Sequence, residues 1–568
     1  MKKIHKILII TFVLLIIIIT GLYLNNQNNE INQYKKEYNT TELTQKLSIN
    51  MNNWKYDSEN DIYYQLSLVY CTKPETSEHE SLAIYVPGKY FNATDNKNGT
   101  YTCKVTDEKI GNFTAKNAPL LMPIHTGGYT ERKSPDTYSG EEAANYTSNG
   151  MIYVYSGCRG KQNNITYNGG APWGVTDLKA AIRYLRFNND TLPGNTDNLF
   201  TFGHSGGGGQ SALLGTTGDS ELYYPYLESI GAAMVDKEGK SISDNVTGSM
   251  CWCPITSFDS ADFSYEWNIG QYSDNGVRED NSWTSSLSDD LAIEYANYIN
   301  NLNLKDSDGK ELKLEKSSTG IYNNGTYYDY IKSVIEDSLN NFLKDIEFPY
   351  TSNSSGEIKT YNNAQEYVDS LNNKIYWVDY YAENNTVEVD NIEGFVKTFK
   401  KPTKRIGAFD NVNRNQSQND LFGINNSDSL HFNKVFADLL ENNSDKYSSY
   451  EDFNRTIIDD YKNDLSKVDA LNNSIQTRVN MYNPMYFICE GYDGYQSSKV
   501  AKYWRIISGI EQGNTALTTE ADLALVLNQT SGVESVVFET VWGQGHTTAE
   551  RKGNSTGNLI SWINECLT

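Results

Sequence analysis

The chain has 568 residues, with 48 Lys and Arg against 72 Asp and Glu, which gives a formal net charge of −24 at pH 7. Phosphate contacts need clusters of Lys and Arg, so this charge argues against binding to nucleic acid or to an anionic membrane surface. With 38% hydrophobic residues the chain can bury a sizeable core, which excludes a disordered, collagen-like or multi-span membrane protein. The length fits two to four domains, or one α/β core with an insertion.

The first 24 residues form a targeting segment. Lys2, Lys3 and Lys6 precede an apolar run over 7–24, whose length lies between a signal-peptide core and a minimal membrane span. We predict an uncleaved signal anchor that places the rest of the chain at the outer face of the cell membrane. A cleaved secretory signal is the alternative, and residues 25–50 are predicted to be a polar tether.

The segment 51–267 alternates short β-branched or aromatic runs with helical periodicity. A helix is predicted over 177–187, and strands alternating with helices indicate an α/β fold with a mostly parallel sheet flanked by helices. The predicted strands are 66–70, 82–86, 120–124, 151–155 and 199–202.

Asn, Asp, Ser and Tyr dominate residues 268–470, where helices are predicted over 286–300, 328–343 and 447–471. The sheet pattern resumes in 471–568, with strands predicted at 485–489 and 536–541. Because the pattern stops and then resumes, we predict one core interrupted by a large, mainly helical insertion.

Seven cysteines leave at least one thiol unpaired. Cys71 and Cys103 flank one predicted strand pair and are candidates for a disulfide. Cys251-Trp-Cys253 is not a CxxC motif and has no second Cys/His pair in the sequence, so both are expected to be buried core residues. No metal site is predicted.

The strongest local motif is Gly203-His204-Ser205-Gly206-Gly207, directly after the strand 199–202. A serine nucleophile on a tight strand-to-helix turn needs glycine on both sides, because side chains there would clash. The following helix supplies positive potential and the Gly206 N–H for an oxyanion. No Gly-Lys-Ser/Thr follows, which excludes a phosphate-binding loop.

A second glycine turn, His125-Thr126-Gly127-Gly128-Tyr129, follows the strand 120–124. An HGGG-like turn at this place offers a second backbone N–H to an oxyanion. We therefore predict that Gly127 or Gly128 completes an oxyanion hole with Gly206.

His546 is the candidate base among six histidines, because it directly follows the last predicted strand. An α/β-hydrolase places its base there, and the chain order of serine before histidine fits. His204 is expected to point away. The triad acid is not fixed by spacing: the candidates are Glu490, Asp493, Glu511 and Asp522.

With these motifs the chain resembles bacterial subtype-B tannases and feruloyl-esterase-like enzymes of the α/β-hydrolase fold, from about Tyr63 onward. The stretches that carry the resemblance include Ile84–Pro87, Ser156–Gly160, Asp177–Ala181, Cys253–Thr256, Tyr265–Trp267, Ala408–Asp410, Leu421–Gly423 and Leu523–Leu525.

The resemblance implies hydrolysis of phenolic-acid esters by Ser205 and His546, with the insertion as a lid over the acyl pocket. In tannases a lysine and two acidic residues hold the galloyl hydroxyls. Here the lysine matches Lys404, whereas the acidic positions fall on Gln418 and Asn514.

The family's triad aspartate aligns with Gln512, which cannot ionise. Glu511 is the expected substitute, and these departures argue against strict gallate specificity.

Our leading hypothesis is a serine carboxylic-ester hydrolase acting on a small aryl or hydroxyaromatic ester, with membrane contact only through the N-terminal segment. The mechanism needs side chains and water alone, so no cofactor is implied. Two alternatives stay open: a serine peptidase on the same fold, and a catalytically impaired surface binding protein descended from esterases.

Overall fold

The computed structural model describes residues 38–163, 168–352, 358–400 and 402–568. The predicted signal anchor at 1–24 and residues 25–37 of the predicted tether lie outside this part of the chain. No helix within the described part is long and apolar enough to cross a membrane.

Seventeen strands are found in the described part of the chain. In chain order they are β1 Lys55–Asp57, β2 Ile62–Val69, β3 Ser81–Pro87, β4 Phe91–Asp95, β5 Tyr101–Val105, β6 Lys109–Ile110, β7 Phe113–Thr114, β8 Leu120–Ile124, β9 Ile152–Ser156, β10 Leu199–His204, β11 Gly248–Trp252, β12 Tyr350–Ser352, β13 Lys359–Tyr361, β14 Val378–Tyr381, β15 Thr386–Val389, β16 Tyr503–Gly509 and β17 Ser535–Val541.

Eighteen α-helices are found over the same residues. They are α1 Thr40–Leu47, α2 Glu141–Thr147, α3 Trp173–Phe187, α4 Gly206–Thr216, α5 Tyr224–Ser229, α6 Ala261–Asn268, α7 Trp283–Asn301, α8 Thr326–Asp345, α9 Ala364–Leu371, α10 Ile392–Phe399, α11 Ser417–Leu421, α12 Lys434–Asn442, α13 Ser444–Tyr447, α14 Thr456–Leu465, α15 Ile475–Met481, α16 Pro484–Ile488, α17 Leu517–Leu527 and α18 Ser555–Leu567.

The core is a nine-stranded sheet in the order β1-β2-β3-β9-β8-β10-β11-β16-β17. The strands from β9 to β17 pair in parallel, whereas β1, β2, β3 and β9 pair antiparallel. This confirms the predicted mostly parallel α/β sheet. Because β8 and β10 are direct neighbours, the loops at their carboxyl ends meet at one edge, where open α/β sheets bind ligands.

The end of the predicted tether is ordered rather than extended. Asn39 caps α1 by accepting a hydrogen bond from the N–H of Glu42, and Leu43 and Leu47 are buried. Burying these leucines stabilises the helix against the body, so the last part of 25–50 contains a packed helix.

Residues between β11 and β16 form the insertion, which contains helices α6 to α16 and two small hairpins, β12–β13 and β14–β15. The predicted helices at 286–300 and 328–343 correspond to α7 and α8. The single helix predicted over 447–471 is wrong: α13 ends at Tyr447 and α14 spans Thr456–Leu465.

The strand predicted at 485–489 is also wrong, because these residues form α16. Asn483 caps this helix by accepting from the N–H of Met485, and Pro484 occupies its first turn, where proline is well tolerated. A short buried apolar run has no periodicity that separates helix from strand, and local capping decided the outcome.

Two buried parallel strands, β11 and β16, were not predicted. Arg505 interrupts the apolar run of β16, and its guanidinium pairs with the buried Glu550 carboxylate at 2.6 and 2.7 Å. The strand was not predicted because a charged residue interrupts its apolar pattern. The partner that neutralises Arg505 is 45 positions away and cannot be inferred from the local sequence. The proposed bridge between Cys71 and Cys103 is absent, and both thiols are free.

A buried ion cluster fixes α3 beneath the sheet. Asp244 accepts from Lys179 Nζ at 2.7 Å and from Arg183 Nε at 2.7 Å, and all three side chains are at most 1% exposed. The two cations hold the pKa of the Asp244 carboxyl well below its usual range, despite its burial. The two buried cations therefore share a single carboxylate as their counter-ion.

Candidate active site

Ser205 occupies the turn between β10 and α4 in a strained backbone conformation, with φ +59° and ψ −122°. Three backbone hydrogen bonds hold it: its N–H donates to Trp252 O at 3.0 Å, and its C=O accepts from Gly209 N and Ile255 N at 2.9 and 3.2 Å. A non-glycine residue at positive φ persists only where its surroundings enforce it, and such residues cluster at functional sites. The predicted strand–serine–helix turn is present in the structure.

The two glycine turns are in contact. A Cβ on Gly206 would lie 2.6 Å from Tyr129 N and 3.0 Å from Gly128 N, so only glycine allows this approach. Gly128 itself has φ +62°, a conformation that favours glycine. Gly127, Gly128 and Gly206 therefore meet at the carboxyl edge of β8 and β10, beside Ser205.

His546 lies in the loop after β17 and reaches the same edge. Its ring centroid is 4.6 Å from that of His204, the residue before Ser205. The loops are held together by backbone hydrogen bonds from Ile510 N to Val541 O and from Glu511 N to Gln544 O, both 3.0 Å. The expectation that His204 points away is wrong, because its ring faces His546.

The His546 imidazole is in an unusual environment. Its Nδ1 is buried without a hydrogen-bond partner within the described residues. Burial, together with the nearby His204 and Lys404, lowers the pKa of His546 to about 4. The ring is therefore neutral at pH 7 and has a free lone pair.

No carboxylate among the described residues takes the place of the triad acid. Glu511 lies near Lys400, hydrogen-bonds the backbone of Gly543, and makes no hydrogen bond to His546. Burial raises the pKa of the Glu511 carboxyl, and Lys400 partly offsets that shift. The expected Glu511–His546 hydrogen bond is absent.

Gln512 is buried and turned into its own loop. Its Oε1 accepts from the N–H groups of Asn514 and Thr515 at 3.0 and 3.1 Å, and its Nε2 donates to Glu520 Oε1 at 3.0 Å. Burial raises the pKa of the Glu520 carboxyl to about 7. The amide thus makes the hydrogen bonds that shape the loop, and it makes none to His546.

The other candidate acids are engaged elsewhere. Glu490 and Asp493 are exposed in the turn after α16. Asp522 is buried and accepts from the Tyr295 and Tyr327 hydroxyls at 3.0 and 2.6 Å. None of the three serves His546.

The predicted acyl-binding residues come from the insertion and the Gln512 loop. Lys404 Nζ donates to Ala408 O at 3.1 Å and lies 3.8 Å from the Phe409 ring centroid. Burial lowers the pKa of Lys404 to about 8, partly offset by Asp262. The positive charge of Lys404 also contributes to the lowered pKa of His546.

Gln418 and Asn514 flank the same region. Gln418 is 3% exposed, and its Oε1 has no hydrogen-bond partner in the described structure. Its neighbour Ser417 donates to Gly128 O at 3.3 Å, so α11 packs on the oxyanion turn. Asn514 is in the Gln512 loop, where Thr403 Oγ1 donates to Gly513 O at 3.3 Å.

A cavity of about 430 Å³ opens beside the serine turn. Gly127, Gly203, His204 and Trp252 are among its lining residues. Of the predicted oxyanion residues Gly127 lines this cavity, whereas Ser205, Gly206 and His546 are not among its lining residues.

Comparison with known proteins adds independent evidence. The BD-FAE family model matches residues 110–259, which include both glycine turns and Ser205. The solved structure of Fusobacterium nucleatum tannase is similar to this chain with a TM-score of 0.65 and 26% identity, covering 89% of this chain and 95% of that one. The chain is a carboxylic-ester hydrolase whose structure is similar to that of tannases.

The fold similarity extends to a second tannase. The native tannin acyl hydrolase of Lactobacillus plantarum aligns with the tannase-like chain at a TM-score of 0.65 and 22% identity, over 89% of this chain and 94% of that one. The same enzyme has been solved with ethyl gallate, at a TM-score of 0.64, 22% identity and the same coverage. A search of curated protein sequences finds no match.

Two residues of the tannase-like site were not recognised in the sequence. Cys253 has φ +43° and directs its thiol to Thr547 O at 3.3 Å, next to His546. Glu520 lies buried beneath the Gln512 loop. The order of the strands brings Cys253 to Thr547 across 294 positions, whereas Glu520 reaches Gln512 from α17, only eight positions further along the chain.

Proposed function

We propose that this hydrolase cleaves esters of hydroxyaromatic acids through an acyl-enzyme on Ser205, with His546 as the base. The observation that supports this is Ser205 in the strained turn, with the glycine turn packed against it and His546 reaching the same edge. The remaining steps follow from the chemistry of serine hydrolases.

In the first half-reaction Ser205 Oγ attacks the ester carbonyl carbon while His546 Nε2 accepts the hydroxyl proton. The N–H groups of Gly206 and Gly128 stabilise the oxyanion that forms. The intermediate collapses, the C–O bond to the alcohol breaks, and His546 returns the proton to the leaving alkoxide. Water then attacks the acyl-enzyme in the same way and releases the acid.

The absence of a triad acid beside His546 in the described structure is expected to lower the rate of this reaction. In other serine hydrolases a triad carboxylate orients the histidine and stabilises the imidazolium, and its loss lowers kcat by about 10⁴. Because His546 Nδ1 has no such partner, we expect slow turnover compared with tannases that keep the aspartate. The same observation favours the alternative of an impaired binding protein.

For the acyl group we propose a hydroxylated aromatic ring held by Lys404, Gln418 and Asn514. The unpartnered Gln418 Oε1 can accept a phenolic hydroxyl, and the Lys404 ammonium can donate to a phenolic oxygen. Since both amides are neutral, we do not expect the strict requirement for galloyl hydroxyls that acidic side chains would impose.

The test is a panel of methyl gallate, methyl ferulate, methyl benzoate, an alkyl ester and a peptide amide. We expect the hydroxylated aromatic esters to have the highest kcat/KM, and Lys404→Met to raise KM for these esters more than for methyl benzoate. A fluorophosphonate probe should label Ser205. Failure to label, or faster cleavage of the peptide, would favour the binding protein or the peptidase.

The pH dependence follows from the environment of His546. The base acts when neutral, and its lowered pKa keeps it neutral far below pH 6.5. The groups that face it are His204 on β10, Cys253 after β11 and Lys404 in the insertion, and no carboxylate is among its hydrogen-bond partners.

We therefore expect kcat/KM for an uncharged aryl ester to hold from pH 7 to pH 5 and to fall through about pH 4. Lys404→Met removes a positive neighbour and should move the acid limb to higher pH. An acid limb centred near pH 6.5 or above in the wild type would contradict this assignment.

For location we propose the outer face of the membrane, since lysines precede the apolar run of residues 7–24. Deleting residues 1–24 should move the protein from the membrane fraction to the soluble fraction.

A further inference from the structure

Three metal-ligating side chains converge behind the serine turn. His204, Cys253 and His546 each offer one ligand atom, and these atoms lie within 4.8 Å of one another. They come from the end of β10 and from the loops after β11 and β17, so the fold assembles them from distant parts of the chain. No metal site was predicted from the sequence, because the three residues are far apart along the chain.

The proposed ester chemistry leaves one buried ring nitrogen of each histidine unused. His204 Nε2 and His546 Nδ1 are buried without hydrogen-bond partners in the described structure. Cys253 Sγ lies 3.3 Å from Thr547 O and 3.9 Å from Gly545 O, and the Ser508 side chain and the Gly509 backbone also contact the thiol. Unsatisfied buried polar atoms are costly, so a cluster of them requires an explanation.

The donor set has the chemistry of a zinc site. Two imidazole nitrogens and one thiolate are ligands that Zn²⁺ prefers, and three protein ligands leave a fourth position for water. With Zn–N near 2.0 Å and Zn–S near 2.3 Å, tetrahedral ligands lie about 3.5 Å apart. Small side-chain rotations therefore close the observed triangle around an ion.

The two histidines of the cluster are already in contact. Their ring centroids are 4.6 Å apart. Burial lowers the pKa of the His204 imidazole, and a hydrogen bond with the backbone of His546 partly offsets that shift. Metal-bound histidines are commonly oriented by a hydrogen bond from the ring nitrogen that does not bind the ion.

We propose that His204, Cys253 and His546 bind one Zn²⁺ ion and that the bound ion inhibits the esterase. The ion occupies His546 Nδ1, the atom to which a triad acid would bond. A cation there withdraws electron density from the ring and disfavours the imidazolium that the reaction requires. The inhibitory part rests on the proposed function, whereas the binding part does not.

The binding test uses the full chain, freed of metal, with Co²⁺ as a spectroscopic probe and Zn²⁺ as competitor. We expect one Co²⁺ per chain with a thiolate-to-cobalt charge-transfer band that Zn²⁺ abolishes. Cys253→Ser should lose the band. Because loss of even an outer partner of a ligand weakens binding 10- to 100-fold, loss of the thiolate should weaken Zn²⁺ binding by about 100-fold or more.

The matched control is Cys251→Ser. Cys251 is also buried, two residues earlier on β11, where its thiol lies 3.4 Å from Ser249 Oγ and outside the cluster. This variant should keep the band. His204→Asn is a second test that leaves the thiol in place, and circular dichroism verifies that each variant is folded. The absence of a band in the wild type, or its loss in both cysteine variants, would overturn the proposal.

Activity separates the two proposals. Zn²⁺ should inhibit the wild type and Cys251→Ser, while Cys253→Ser should need about 100-fold more Zn²⁺ for the same inhibition. Stoichiometric binding without any esterase activity would retain the metal site and refute the proposed function. If the protein is an active esterase but does not bind Zn²⁺ and is not inhibited by it, the metal site alone is refuted.

Discussion

Replacing Ser205 with alanine is expected to lower kcat/KM for an aryl ester by about 10²-fold. In a complete triad the nucleophile is worth about 10⁶ in kcat, and loss of the acid alone costs about 10⁴. Since His546 has no acid partner, most of that advantage is already missing here, and the remaining loss is about 10². The residual rate comes from the oxyanion donors and substrate binding.

The same reasoning predicts strong non-additivity. His546→Ala should lower the rate about as much as Ser205→Ala, and the double variant should be no slower than either, because the two residues act as one unit. Ser211→Ala is the matched control: Ser211 lies further along α4, buried and bonded to Thr201 and Ser249. A Ser205→Ala enzyme with the wild-type rate would exclude the serine mechanism.

The largest stability effect is expected at Asp244. Asp244→Ala leaves Lys179 and Arg183 buried without their counter-ion, and breaking a buried pair in this way costs about 3–5 kcal/mol in the free energy of unfolding. Asp197→Ala is the matched surface control, because Asp197 is 85% exposed and lies 3.7 Å from Arg186 Nε. Its loss should cost at most about 1 kcal/mol.

Denaturant titration followed by tryptophan fluorescence measures the stability of both variants. We expect the unfolding midpoint of Asp244→Ala to be clearly lower than that of Asp197→Ala. Equal midpoints would show that water or a rearranged carboxylate neutralises the two cations. The contribution of Asp244 to the free energy of unfolding also depends on pH in a definite direction. Because the pKa of Asp244 is lower in the folded state, this stabilisation is present above the unfolded-state pKa and is lost as the pH falls through the folded-state pKa.

Much of the fold could be predicted because the signals are local. Apolar runs followed by turn residues predict the strand 120–124 and the turn at Ser205. The structure has β8 and the serine turn at these positions. The buried strand β16 was missed because its Arg505 is paired with a residue far along the chain.

The site was predictable in part for the same reason. Ser205, His546 and the glycine turn carry motifs, so their convergence could be expected from the strand order of the fold. The lack of a hydrogen-bond partner at His546 Nδ1 could not be predicted. The candidate acids Glu511, Glu490 and Asp493 are distinguished only by tertiary packing, which the local sequence does not show. Cys253 was read as core, and only the sheet order brings its thiol to His546.

The insertion between β11 and β16 has a consequence for the order of assembly during synthesis. Trp252 donates to Glu550 at 3.0 Å across 298 positions, and β16 and β17 complete the sheet only after the insertion has been made. Such non-local pairing is slow to form and leaves β11 an open edge in the nascent chain. The serine turn is thus translated long before His546, and the two proposed catalytic residues cannot meet until β17 and the loop after it have left the ribosome.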